Sequence, residues 1–121
     1  MAISNHERIG RALELLRKGL GPFVDREVHA SWKAGRLDQD RVLRVAEDPG
    51  LKGKKIVEWD VSALTKVMIG VWNDVFRQTL GPAERSYVSE VREFRNHWAH
   101  QRPFSSDDTD RALDTFQRLL A

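Results

Sequence analysis

Pro82-Ala83-Glu84-Arg85-Ser86-Tyr87-Val88-Ser89-Glu90-Val91-Arg92-Glu93-Phe94-Arg95-Asn96-His97-Trp98 is the stretch whose periodicity decides the fold class. Tyr87, Val91, Phe94 and Trp98 follow one another at spacings of four, three and four, which is the period of one helix face. Pro82 suits a first helical turn, where its missing N–H has no partner to lose. Pro103 disfavours helical geometry at Arg102 and breaks the pattern across Gln101 to Phe104. The stretch reads as one long amphipathic helix ending near His100.

The flanking segments read the same way. Asp60 is placed to cap a helix carrying Leu64, Val67, Met68, Val71, Trp72, Val75 and Phe76, apolar enough to be the centre of a bundle. Gly70 inside that run costs about 1 kcal/mol against Ala, which predicts a close helix crossing there. Ser4 and Glu7 have capping-box spacing, and Ile9, Leu13, Leu16 and Leu20 follow at helical intervals. Gly21-Pro22 is expected to stop that helix and open a second, from Phe23 to about Lys33, ending near Gly35. Asp38 to Ala46 reads as a short helix, and Pro49 to Lys55 as a loop rich in glycine and lysine. Leu80-Gly81-Pro82 repeats Leu20-Gly21-Pro22 as the same turn chemistry used twice. Ser105 with Asp108 opens a last helix whose inner face is Ala112, Leu113, Phe116, Leu119 and Leu120. No segment alternates like a strand. The expected fold is all-α, an up-and-down bundle of four main helices plus a short extra helix. It is read as a single domain over residues 1–121, and apolar residues running to the very end suit the N-terminal part of a longer protein.

Composition narrows the function classes. Twenty Lys and Arg against 18 Asp and Glu give a formal charge of +2, too mild for a general nucleic-acid coat, so any RNA contact must come from a local patch. With no cysteine, a disulfide framework and a thiolate zinc site are excluded, and a cytoplasmic location fits. Met1 to His6 is polar and no apolar run reaches membrane-spanning length, so no membrane contact is expected.

Arg95-Asn96-His97-Trp98-Ala99-His100 holds the candidate chemistry. A guanidinium stabilises charge on a phosphate, and an imidazole moves protons near neutral pH. Arg-x4-His alone is weak: fourteen arginines and four histidines in 121 residues give roughly 0.5 matches by chance. Two overlapping copies occur, Arg92 with His97 and Arg95 with His100. With Val91 at the centre of the buried face and about 100° per residue, Arg95 lies at its margin and Arg92 farther round. His97 and His100 then point mainly to solvent, while unwinding before Pro103 lets His100 turn toward Arg95. Asn96 and His100, four apart, are placed to hydrogen-bond. His97 is a spare imidazole, a possible auxiliary to the site or simply solvated; with His100 it makes only half a zinc site. Trp98 reads as core, Lys52, Lys54 and Lys55 as a solvated loop, and His6 and His29 have no evident partner.

These residues carry a resemblance to the HEPN superfamily (higher eukaryotes and prokaryotes nucleotide-binding), whose ribonuclease members bear Arg-x4–6-His, often with Asn, Asp or His after the arginine. Arg95, Asn96 and His100 match that motif. Trp59 to Phe76, Leu80 to Ser86, Arg95 to Gln101, Arg111 to Asp114 and Leu15 to Phe23 resemble the Swt-type subgroup. The resemblance implies a metal-independent endoribonuclease without cofactor, with Arg95, Asn96 and His100 catalytic. It implies RNA as substrate, a homodimer joining two motifs, and linkage to ATPase or helicase-like domains, in some members within phage defence. A toxin-type tyrosine two residues after the histidine is absent, Arg102 standing there. His100 would exchange a proton with the ribose 2′-OH or the 5′-oxygen, Arg95 would stabilise the phosphorus-centred transition state, and Asn96 would orient either. The alternative is a non-catalytic dimerisation or RNA-binding module on the same bundle. A helical adaptor with a chance motif is the third reading.

Overall fold

The computed structural model describes residues 3–120, and these form helices and connecting turns with no strand among them. Met1, Ala2 and Ala121, which the sequence reading includes in its 1–121 domain, lie outside the described residues. The helices are α1 (Asn5–Lys33), α2 (Gln39–Ala46), α3 (Val61–Gly70), α4 (Pro82–Ala99) and α5 (Ser106–Leu120). Four main helices, α1, α3, α4 and α5, make an up-and-down bundle, and α2 is the short extra one. α1 packs on α3, α4 and α5, while α4 lies between α3 and α5 and α2 rests on α3.

The expected stop at Gly21-Pro22 does not occur. α1 is one helix of 29 residues with Pro22 inside it. The reason is visible in the stripe Ile9, Leu13, Leu16, Leu20, Val24 and Val28, which keeps helical phase across the proline and is buried throughout. An interior proline costs about 3 kcal/mol. Burying a valine stabilises by about 1.5–3 kcal/mol, so Val24 and Val28 together outweigh it. The exposed position of Pro22 leaves its ring in solvent. Gly21 serves packing, because a Cβ there would come within 3.3 Å of the Val57 backbone. Its absence admits the single-turn 3₁₀ helix Ile56–Glu58 against α1, where Arg17 Nη1 also donates to the Val57 carbonyl at 3.4 Å.

Caps and ends follow from local chemistry. Ser4 Oγ accepts from the Glu7 N–H at 3.1 Å, the half of the expected capping box that is seen among the described residues. Asp60 caps α3 by accepting from the Ala63 N–H at 2.9 Å. α3 ends at Gly70 rather than running to Phe76, and the chain turns so that Trp72, Val75 and Phe76 still enter the core. Arg41 of α2 pairs with Asp74 and holds that turn. The expected close crossing is at Gly70, where an added Cβ would collide with Cγ1 of Val45 on α2.

α4 begins with Pro82 in its first turn, and Glu84 Oε2 accepts from the Gly81 N–H at 3.1 Å. Its buried line is centred on Val88 and Val91; Tyr87, Phe94 and Trp98 are only half-buried, a shift from the expected stripe. In α5 Ala112 and Phe116 are buried as expected, Leu113 and Leu119 half-buried, and Leu120 exposed. Thr109 and Thr115 occupy inner positions that apolar spacing alone does not reveal. Arg111 of α5 donates to Glu90 of α4 at 2.6 Å, latching the pair on its outer side. No described helix is long and apolar enough to cross a membrane.

Continuity through Pro22 has a direct test. Pro22→Ala restores a backbone donor and removes the ring clash, so urea unfolding should show a gain of about 1–3 kcal/mol. A helix break at this position would instead make the substitution neutral or destabilising.

Candidate functional site

The C-terminal end of α4 is closed by backbone bonds before Pro103 is reached. His100 is the C-cap, and the Gln101 that follows takes a left-handed φ of 55°. The Gln101 N–H donates to the Trp98 carbonyl at 3.0 Å, and the Arg102 N–H to the His97 carbonyl at 3.1 Å. These two bonds are the Schellman pattern, which satisfies carbonyls that a helix end otherwise leaves open. The sequence reading assigned the break to Pro103. Gln101 makes the turn, and Pro103 follows where the chain has already left the helix.

Arg95 lies at the margin of the packed face, as expected, with its side chain 29% exposed. Its Nη2 stands 3.8 Å from Asp60 Oδ2, the residue that caps α3. That is an ion pair without a hydrogen bond, so the guanidinium donors stay open among the described residues. Asn96 and His100 are exposed. Their expected side-chain hydrogen bond is not present among the described residues, and neither side chain finds another partner there.

His97 departs from the expected solvent-facing position. It is half-buried, its Nε2 is 2.9 Å from the Pro103 carbonyl, and its ring stands edge-on to Phe104 at 4.6 Å. A carbonyl oxygen only accepts, so Nε2 carries the proton in that bond. His97 therefore fastens the turn that carries His100 to the chain leading into α5.

A second fastening comes from the start of α1 and involves a residue for which the sequence reading found no partner. The His6 ring stacks on Trp98 with centroids 5.2 Å apart and planes 12° from parallel. His6 Nε2 donates to the Trp98 carbonyl at 3.1 Å, and Trp98 Nε1 donates back to the His6 carbonyl at 3.1 Å. Asn5 Nδ2 donates to the Phe104 carbonyl at 3.1 Å. The last turn of α4 is thus clasped by the first turn of α1. His6 lies three and seven residues before Ile9 and Leu13, a helical spacing that placed it on the inner face of α1.

Chemically, the helix end offers one guanidinium anchored by charge and packing, one free imidazole and one free carboxamide. Arg92 is half-buried on the preceding turn and Arg102 exposed on the following one, which makes the end of α4 locally cationic. Clefts of about 490, 400 and 170 Å³ lie elsewhere on the chain and are lined by residues outside this segment. Among the described residues no group of three or more His, Asp or Glu is arranged to hold a metal ion.

The clasp can be weighed by removing the His6 ring. His6→Ala should lower stability by about 1–2 kcal/mol through the lost stack and hydrogen bond. Hydrogen exchange at the Gln101 and Arg102 amides should speed up in the same variant. Unchanged protection at both amides would mean that His6 does not hold the turn.

Comparison with known proteins identifies the family. A family model described as Swt1-like HEPN matches residues 11–121, which take in α2 to α5, most of α1 and the whole Arg95–His100 segment. No curated protein matches the chain significantly, and no solved structure does. The His6 side of the clasp lies ahead of the matched region. Swt1-like HEPN domains are often associated with ribonuclease activity. The matched length covers all but the first ten residues, and the chain belongs to the Swt1-like HEPN family.

Proposed function

We propose that this domain is a metal-independent endoribonuclease in which Arg95, Asn96 and His100 act on RNA. The reading rests on Arg95, held beside Asp60 without a hydrogen bond, and on His100, exposed and without a side-chain hydrogen bond among the described residues, both on the last turns of one fastened helix end. His100 removes the proton of a ribose 2′-OH, and the 2′-oxygen attacks the adjacent phosphorus. The P–O5′ bond breaks, and the departing 5′-oxygen takes a proton from a second imidazole. The products are a 2′,3′-cyclic phosphate and a 5′-hydroxyl. Arg95 stabilises the charge that builds on the phosphoryl oxygens, and Asn96 orients the imidazole or a phosphate oxygen.

One imidazole is not acid and base in the same step. The second imidazole comes in this reading from a homodimer, in which another copy brings its own His100 to the same phosphate. His97, committed to Pro103 and Phe104, keeps the turn in place and leaves the proton transfers to His100. We further propose that the domain works in the cytoplasm as the N-terminal module of a larger ATPase or helicase-like protein, in a phage-defence setting. The ion pair of Arg95 with Asp60 favours a second reading, a non-catalytic dimerisation or RNA-binding module in which Arg95 serves contacts alone.

Labelled single-stranded RNA in excess EDTA separates the two. The parent should cleave and leave cyclic phosphate ends. His100→Ala should lose about 10²- to 10⁴-fold in rate, and Arg95→Ala a comparable amount. Loss of cleavage in EDTA, or full activity in His100→Ala, sinks the catalytic reading. Binding through Arg95 without cleavage selects the second reading.

Assembly is tested apart from activity. Sedimentation at tens of micromolar, roughly the range where a weak dimer should appear, should show dimer. A strict monomer, or a dimer whose two Arg95–His100 segments lie far apart, removes support for a composite site.

A further inference from the structure

We infer that the cleft between α1, α2 and the segment leading into α3 is a second RNA contact, a pocket for one unpaired nucleobase with Lys54 and Lys55 on its flanking phosphates. The inference rests on RNA being the ligand of this domain, and it concerns residues away from the Arg95–His100 segment. The cleft has a volume of about 490 Å³, in the range that takes a small ligand. Trp32, Leu43 and Val57 line it and are 43%, 39% and 38% exposed, three large apolar side chains left uncovered in one place. A cluster of that kind marks a surface that something else covers.

Trp59 supplies the second, independent observation. It lines the same cleft, is 2% exposed, and its indole Nε1–H has no hydrogen-bond partner among the described residues. Buried donors are nearly always paired, so an orphan beside a cleft points to an acceptor that a ligand brings. Nε1 itself is closed to solvent.

A nucleobase supplies the required features in one body. Its faces are apolar and stack on an exposed tryptophan such as Trp32, and its edge carries acceptors in plane for Trp59. Its phosphates lie outside the stack, where the lysines of the rim stand. His29 stands edge-on to Trp32 at 6.3 Å, and its own Nδ1 donates to the Asp25 carbonyl at 2.8 Å, which braces the aromatic wall. Asp40 on the rim offers an acceptor for an amino or ring N–H of the base and repels a phosphate from that side. Trp59 is followed directly by Asp60, the ion-pair partner of Arg95.

The test uses the whole chain, fluorescence anisotropy with short single-stranded oligouridylate and oligoadenylate, and the free mononucleotides UMP and AMP. Trp32→Ala should weaken oligonucleotide binding about tenfold, from loss of one stacked base. Lys54→Ala/Lys55→Ala should weaken it and flatten the salt dependence by about 1.4, from two phosphates at about 0.7 each. Trp59→Phe keeps the ring, removes the donor and should weaken binding several-fold; circular dichroism checks its fold, and the exposed lysine pair serves if it does not fold. With saturating RNA these variants should cleave as fast as the parent, so that KM rises and kcat does not. Mononucleotides should bind weakly at the same site; tighter binding of UMP or AMP than of oligonucleotide would make the ligand a free nucleotide and overturn the RNA assignment. Parent-like RNA affinity in Trp32→Ala and in the lysine pair overturns the inference while leaving the Arg95–His100 reading intact. Weakened binding in a protein that never cleaves supports the cleft and sinks the catalytic reading. If Trp32→Ala breaks a dimer without changing RNA affinity, the cleft is a protein contact and the inference is wrong.

Discussion

Because Ile9, Leu13, Leu16, Leu20, Val24 and Val28 stay in phase across Pro22, burial of that one stripe decides where the other helices can lie. A break at the proline would have let Phe23 to Lys33 pack at an independent angle. Instead a single rigid axis spans the domain, with its first turn against the end of α4 and its middle against the Ile56–Glu58 turn. The clasped helix end and the cleft are therefore built on the same helix. Their relative placement is set by core packing rather than by loops.

The polar contacts around α4 are arranged to hold backbone and to leave chemistry free. His6, His97, Trp98 and Asn5 direct these hydrogen bonds to backbone carbonyls, while the His6 and His97 rings pack on Trp98 and Phe104. Asn96 and His100 spend none among the described residues, and Arg95 is aligned by a carboxylate that does not occupy its donors. Surface ion pairs of this length contribute little to stability. The Asp60 pairing positions Arg95 instead, since Asp60 is itself fixed as the cap of α3.

Much of this was legible in the sequence, and the reasons for the exceptions are physical. The all-α class, the caps at Ser4, Asp60 and Ser105 and the crossing at Gly70 follow from local rules that act within a few residues. At Gly21-Pro22 the local turn chemistry points to a stop, but the apolar stripe that runs in phase from Ile9 to Val28 overrides it. The early end of α3 is masked in the sequence because Val71, Trp72, Val75 and Phe76 keep helical spacing past Gly70, while the turn formers Asn73 and Asp74 lie between them. At the site, the motif and the marginal position of Arg95 were visible from spacing. Asp60 beside Arg95, His6 on Trp98 and the unpaired Trp59 donor depend on which helices pack together, and no local pattern encodes that. His97 was assigned to solvent by regular helix geometry, which cannot see the chain folding back past Gln101.

The backbone closure at Gln101 also bears on electrostatics at long range. A helix carries a macrodipole whose C-terminal end is negative, an unfavourable place to bring a polyanion. Much of that negative character resides in the last unpaired carbonyl oxygens. Here the Asn96, His97 and Trp98 carbonyls all receive backbone N–H groups from His100, Arg102 and Gln101. With those oxygens masked and Arg92, Arg95 and Arg102 distributed around the same end, the field met by an approaching phosphate is that of the side chains. A terminus that would ordinarily repel an anion is left open to one.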